Sequence, residues 1–411
     1  MIRTLSLLMI AVGIAGLLTG CEERQEAVAP IHMRHITFED LDGWSDDRQS
    51  EALAAFRRSC VRVAALPADG ADGPLPGVYG QLGDWLPACA AAQTVPPGDP
   101  AARVFFETWF SPLALSAPDR PDGLFTGYYE PEIKASRTRT GPYQTPVLGP
   151  PPDLVTADLG QFDPKFAGER LRGRVAGGRF VPYPARAEIE RGVDPSAAHQ
   201  KVLAWIADPV EAFFMHIQGS GRLLLEDGNV LRLAFAEKNG RPYTAIGRVL
   251  VDRGALAPGT VSMQTIRAWL AANPEQMSEI LAQNQSYIFF RPVPAPDPAS
   301  NPAPGPTLGP PGAGGVPLTP GRSLAVDRAF HALGAPLWLD TQAPTGPGGA
   351  LAPFRRLMIT QDTGSAIKGP VRGDVFWGSG EAAGEIAGLM QQFGRLTVLL
   401  PKPLAARTDD R

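Results

Sequence analysis

The spacing of apolar residues divides the chain into segments. "RQSEALAAFRRSC" (48–60) carries helical spacing, with Ser45-Asp46-Asp47 ahead of it as a predicted cap. Asp99-Pro100 opens a second predicted helix before "AARVFFETWF". Strand-like segments begin at Gly123 and continue to Ser136. "SAAHQKVLAWIADP" (196–209) reads as a short helix ending near Asp208-Pro209. Ala212 to Phe235 reads as a hairpin or meander, with turns at Gly219-Ser220-Gly221 and Glu226-Asp227-Gly228. Two short helices, broken at Asn273-Pro274, follow within 260–284.

Periodicity then stops. Pro292 to Gly315 is so rich in proline and glycine that it reads as a mobile, extended loop. Strands resume at "RSLAVDRAF", "PLWLDT" and "FRRLMITQD", a helix is predicted in "EAAGEIAGLMQQFG", and "RLTVLLPK" is the last strand. The chain has no internal repeat. Many strands and few helices predict a mainly β protein with flanking helices, built as one or two β-barrels.

Composition narrows the function. The 411 residues carry a formal charge of −4, which provides no basic field for nucleic acid. The 45 glycines and 43 prolines sit among regular apolar segments, as in a loop-rich globular protein. Residues 1–20 read as a secretory signal, one arginine followed by an apolar run. Leu18-Thr19-Gly20-Cys21 resembles a bacterial lipobox, which implies cleavage before Cys21 and lipidation of that cysteine. Glu22 favours the outer membrane, because an Asp there resembles an inner-membrane retention signal. The expected location is the periplasm, anchored to the outer membrane. No second apolar run is long enough to span a bilayer. Cys60 and Cys89 then remain as an even pair in an oxidising compartment, either a disulfide or two separate buried thiols. Two isolated cysteines and five scattered histidines make no metal-ligand cluster, and no cofactor is expected.

"GPVRGDVFWGSG" (369–380) carries the most chemistry. In a strand from Val371 to Trp377, Val371, Val375 and Trp377 share one face, and Arg372, Asp374 and Phe376 the other. Asp374 therefore points away from the main core, either to solvent or into a cleft. In a cleft, burial would raise its pKa and make it a general acid, while Arg372 would act the other way. Asp362 opens a glycine-bearing turn that an Asx-type hydrogen bond explains. Asp327 pairs with Arg328 or supports the same site. Tyr128 and Tyr129 suit sugar stacking, and strand alternation aims only one of them at a groove. His216 and Gln218 share a face, and a lone histidine in an apolar run is ordinarily a core residue. "GSAIKG" lacks P-loop spacing, and "QGSGR" is not a nucleophile elbow, because Gln218 takes the first glycine position.

Taken in order, "GLFTGYYEP", "YPARAEIERG", "DPVEAFFMHIQGSGRL", "AEKNGRPYTAIGRVL", "NQSYIFFR" and "DTGSAIKGPVRGDVFWGSG" resemble the membrane-bound lytic murein transglycosylase A family. Asp327, Asp362 and Asp374 resemble the three aspartates of its C-terminal 3D domain. The resemblance implies a double-psi β-barrel from both chain ends (21–132 and 284–411), with a smaller β-barrel inserted at 133–283. It implies cleavage of the β-1,4 bond between N-acetylmuramic acid and N-acetylglucosamine in peptidoglycan, leaving 1,6-anhydro ends. Asp374 is then the acid and later the base, with Asp362 and Asp327 supporting it. Thr126, Tyr128, Tyr129, Gln218, Ser220, Lys368 and Phe376 are the expected glycan-binding residues. Cell-wall synthesis complexes are the expected protein partners. The alternatives are a non-catalytic peptidoglycan-binding lipoprotein and a hydrolytic glycosidase on a similar barrel. Ser365, where many relatives have glycine, and the expanded 292–315 loop depart from the family pattern.

Overall fold

The computed structural model describes residues 31–65, 77–117, 120–192, 201–294 and 307–408. The expected signal segment and Cys21 lie outside them. The N-terminal part carries strands β1 (His32–His35) and β2 (Phe110–Ser116) around helices α1 (Gln49–Ala64), α2 (Leu86–Thr94) and α3 (Asp99–Trp109). Strand β3 (Gly123–Glu130) follows, and the chain leaves for the insert at Pro131.

The insert runs through β4 (Glu132–Ser136), β5 (Thr145–Leu148), β6 (Val155–Asp158), β7 (Arg170–Ala176), β8 (Arg179–Pro182), α4 (Arg186–Glu190) and β9 (Val202–Ile206). It continues with α5 (Pro209–Gln218), β10 (Ser220–Leu225), β11 (Val230–Lys238), α6 (Ile246–Asp252), α7 (Met263–Ala272), α8 (Pro274–Ala282) and β12 (Ile288–Pro292). The C-terminal part holds β13 (Ser323–Val326), β14 (Pro336–Pro344), β15 (Leu351–Asp362), β16 (Gly373–Ser379), α9 (Glu381–Leu389), β17 (Gln391–Pro401) and α10 (Lys402–Ala405).

Six strands close a barrel in the order β17-β14-β15-β13-β16-β3, with β3 returning to β17. Two of the pairings are parallel, β13 with β15 and β16 with β3. β17 closes the ring by dividing its length: Gln391–Gly394 pair with β3, Arg395–Val398 with β14, and Leu396–Pro401 with β2. The barrel is thus built from both ends of the chain. The insert contributes a six-stranded sheet, β12-β11-β10-β4-β9-β5, and a separate three-stranded one, β6-β7-β8. β12 stays in the insert sheet, so the chain returns to the barrel after Pro292, beyond the expected residue 284.

The main core lies between the barrel and the N-terminal helices. Phe56 packs its ring against Phe105, Phe106 and Phe110. Buried Arg322 ties the layers together, giving Asp47 two 2.8 Å hydrogen bonds and Glu51 one of 3.0 Å. That use of Asp47 corrects the expected cap: α1 starts at Gln49, and the Asp47 carboxylate serves Arg322 and the Leu357 N–H instead. Cys60 and Cys89 are disulfide-bonded, joining α1 to α2.

Three further expectations change. Val202–Ile206, read as helix, is a strand between β4 and β5, and the helix starts at Pro209, where Asp208 caps the Val210 N–H at 2.8 Å. Ala212–Gln218, read as part of a hairpin or meander, belongs to the helix Pro209–Gln218. Val210, Ala212, Phe213, Phe214, Met215 and His216 are all buried, so no amphipathic stripe marks it, and Gly219 at φ +76° ends it. The end of the proline-rich loop packs: Leu308 is buried, and Gly312 and Val316 close a tight turn by a 3.0 Å bond. Gly312 needs its missing side chain there, because a Cβ would lie 2.5 Å from the Gln361 carbonyl oxygen.

Candidate active site

Asp374 stands on β16 between Ala325 of β13 and Thr126 of β3. The strand period separates its neighbours as expected. Val371 and Val375 join the main core with Trp377 packed against it, whereas Phe376 enters a small cluster with Tyr128, Leu318 and Ala325. The face carrying Asp374 is therefore covered, and the carboxylate is half-buried. Thr126 donates its hydroxyl to Asp374 Oδ1 at 2.8 Å. Arg372 in turn donates to Thr126 Oγ1 at 2.8 Å, and its other terminal nitrogen bonds the Gly373 carbonyl. Burial pushes the Asp374 carboxyl up to about 6, against the opposing pull of Arg372 and Thr126, with a smaller upward push from Asp362. Loss of water outweighs the guanidinium here.

Asp362 ends β15 on the same side. Its Oδ2 accepts the Tyr128 hydroxyl at 2.8 Å and its Oδ1 accepts the Ala313 N–H at 2.9 Å. Burial raises its pKa while these donors lower it. Burial also lifts the Tyr128 hydroxyl well above the usual phenol range, with Asp362 adding to the effect. Asp327 is buried and fully occupied by backbone: Oδ1 accepts Ala329 N–H at 3.1 Å and Oδ2 accepts Gly369 N–H at 2.9 Å. Lys368, mostly exposed, approaches Asp327 at 3.9 Å. Asp327 therefore fixes the loop leading to Asp374.

The other expected residues scatter. Phe376 is fully buried, so it supports Tyr128 from a ring distance of 5.3 Å and has no face left for a sugar. Tyr129 points to the opposite side of β3, into Ala383 and Ala387. Gln218 accepts the Tyr129 N–H at 3.0 Å, and Ser220 is buried at the head of β10 opposite Ala234. Tyr129 and Ser220 are buried, whereas Gln218 is half-buried with its Oε1 on the β3 backbone. His216 is a core residue, held by Arg186 at 3.0 Å and kept neutral by burial.

Four groups were missed. Glu130, fully buried at the junction of barrel and insert, accepts Arg222 at 2.8 Å, Arg232 at 3.2 Å and the Ser379 hydroxyl at 2.7 Å. Its signal was a carboxylate directly after "GYY" in a strand. Burial raises the phenol pKa of Tyr243 in the insert, and Asp374 adds to the effect. Lys238 of β11 donates to Ser365 Oγ at 3.1 Å, joining the insert to the loop after Asp362. Buried His331 bridges the Tyr79 hydroxyl and the Pro370 carbonyl, each at 2.7 Å; burial lowers it to about 4, so it is neutral at pH 7. No sequence period marks Tyr243, Lys238 or His331. Among the described residues, no cluster of His, Cys, Asp and Glu could hold a metal ion, and no helix is long and apolar enough to cross a membrane.

Comparison with known proteins gives the same picture of the fold. Residues 124–291 match the MltA specific insert domain and residues 322–400 match the 3D domain. The chain is 34% identical over 282 residues to membrane-bound lytic murein transglycosylase A of Escherichia coli, across 68% of this chain and 66% of that protein's length. It superposes on a crystal structure of a membrane-bound lytic murein transglycosylase from Agrobacterium tumefaciens with TM-score 0.76 and 36% identity, covering 91% of this chain and 99% of that one. A crystal structure of E. coli MltA with bound chitohexaose aligns with TM-score 0.61 and 27% identity, over 88% of this chain and 90% of that one. On a closed barrel carrying three aspartates, the matched insert and the near-complete overlap with the Agrobacterium structure, the chain belongs to the membrane-bound lytic murein transglycosylase A family.

Proposed function

We propose that this protein is a peptidoglycan lytic transglycosylase. It cleaves the β-1,4 bond between N-acetylmuramic acid and N-acetylglucosamine and leaves 1,6-anhydromuramic ends. The carrying observation is the inequality of the three aspartates. Asp362 and Asp327 have both oxygens engaged within the protein, whereas Asp374 has one oxygen held by Thr126 and its carboxyl is pushed up to about 6 by burial. A single poised carboxyl suits this chemistry. Hydrolytic glycosidases use two carboxylates, the second serving water or covalent attack. Here Asp374 protonates the glycosidic oxygen as its bond to C1 breaks. The C6 hydroxyl oxygen of the same sugar bonds to C1, and its proton passes to the Asp374 carboxylate. No water is consumed, and the attack gains from proximity.

The chitohexaose bound to the E. coli relative supports a β-1,4-linked amino-sugar chain as substrate. The Lys238–Ser365 contact, which joins the insert to the loop after Asp362, is consistent with a glycan lying between insert and barrel. Lipid attachment at Cys21 and an outer-membrane location complete the reading. Radiolabelled palmitate incorporation lost in Cys21→Ser tests the anchor.

The deciding experiment is mass spectrometry of the products released from purified sacculi. Anhydro ends with the wild type and none with folded Asp374→Asn support the proposal. Reducing ends would instead mark a hydrolase, and binding without product a non-catalytic glycan-binding protein.

A further inference from the structure

We infer that Thr126 and Arg372 are positioning residues that commit Oδ1 of Asp374 to the protein and leave Oδ2 to carry the catalytic proton. The inference rests on Asp374 being the acid. A threonine hydroxyl has one hydrogen and two lone pairs. Arg372 donates into Thr126 Oγ1 at 2.8 Å, which takes one of the two lone pairs of that hydroxyl and orients it. Its hydrogen is then directed to Asp374 Oδ1, at 2.8 Å. Thr126 and Asp374 are opposed on the paired strands β3 and β16, so backbone register sets the distance. The β-branched threonine is stiff about χ1, and the Arg372 fork is fixed by its second bond to the Gly373 carbonyl. Among the described residues, no hydrogen bond holds Oδ2.

The arrangement serves both halves of the reaction. With the proton on Oδ2, Oδ1 is a carbonyl oxygen that still accepts the Thr126 hydroxyl. Once the proton has gone to the leaving oxygen, the same bond becomes charge-assisted and stabilises the carboxylate that must accept the C6 proton. Rotation of the carboxyl, which would exchange the two oxygens, is opposed throughout.

The test measures rates on purified sacculi between pH 4 and 8 for Thr126→Val, Thr126→Ser, Arg372→Gln, Arg372→Lys and the Val/Gln double variant, with melting temperatures as a folding check. Thr126→Val and Arg372→Gln should each lower kcat about tenfold or more and move the alkaline limb to higher pH. The double variant should lose less than the product of the two, because both remove one linkage. Thr126→Ser should approach the wild type. Arg372→Lys, which keeps the charge and loses the fork, should keep the limb and lose rate. Independent, multiplying losses, or Arg372→Lys matching the wild type, would overturn the inference, since Arg372 would then act by charge alone. If Thr126→Val does not fold, the Ser and Lys variants decide the matter. Failure of the underlying reading has a different signature, persistent activity in Asp374→Asn.

Discussion

The Tyr128 hydroxyl donates a 2.8 Å hydrogen bond to Asp362 Oδ2, although the two residues lie 234 positions apart. One comes from the strand before the insert and the other from the strand before the loop that leads to Asp374. The bond pulls the two halves of the barrel together beside Asp374. Tyr128→Phe should cost about 1.5–3 kcal/mol at pH 7, the range for a buried hydrogen bond to a charged group. The loss should shrink in acid, where a protonated Asp362 needs the donor less. Urea unfolding at pH 7 and pH 4 measures both, and an equal loss at the two values would contradict it.

Activity should fall with rising pH. A general acid works only while protonated, and Asp374 releases its proton near 6. We expect kcat/KM to drop about tenfold per pH unit above that point. A rate profile flat to pH 8 would remove Asp374 from the acid's role.

Asp374→Asn should yield a more stable, inactive protein above neutrality. The folded carboxyl keeps its proton up to about 6, whereas an unconstrained aspartate loses it near 3.8. The folded state therefore binds the extra proton between those values, and stability falls as pH rises across that window. The asparagine variant escapes this loss. Its gain should be on the order of 1–3 kcal/mol at pH 7.5 and vanish at pH 3.5, as read from denaturant midpoints of the two proteins.

Glu130→Gln should loosen the insert from the barrel. Arg222 and Arg232 would keep their charges beside a neutral amide that is fully buried. Breaking one side of such a network costs about 3–5 kcal/mol. Hydrogen exchange should rise first in β10 and β11; exchange unchanged there would show the junction to be held by packing alone.

Removing the Cys60–Cys89 bond should lower stability without altering the site. It closes a loop with a sequence separation of 29, worth about 3–4 kcal/mol in the chain-entropy model. The Cys60→Ala/Cys89→Ala protein should melt lower yet keep its pH profile, and a reductant should reproduce the shift in the wild type.

The local pattern of the chain carried a good deal of this. Helical spacing marked α1, and Asn273-Pro274 divided α7 from α8, because caps and prolines act within a few residues. The period of two turned Asp374 and Phe376 off the main core. Where consecutive residues of an element are buried, as Ala212 to His216 of α5 are, the pattern loses contrast and hides the helix.

What the sequence by itself determined was the β-rich class, the family motifs and the face on which Asp374 lies. What only the tertiary structure decided was the environment of that face. Burial raises the Asp374 carboxyl; Tyr128 and Ala313 occupy Asp362; Thr126, aligned by the register of β3 on β16, holds Oδ1. Each of these partners comes from a distant part of the chain, and desolvation is a property of everything packed around a group. Neither can be read from the neighbours that sequence supplies.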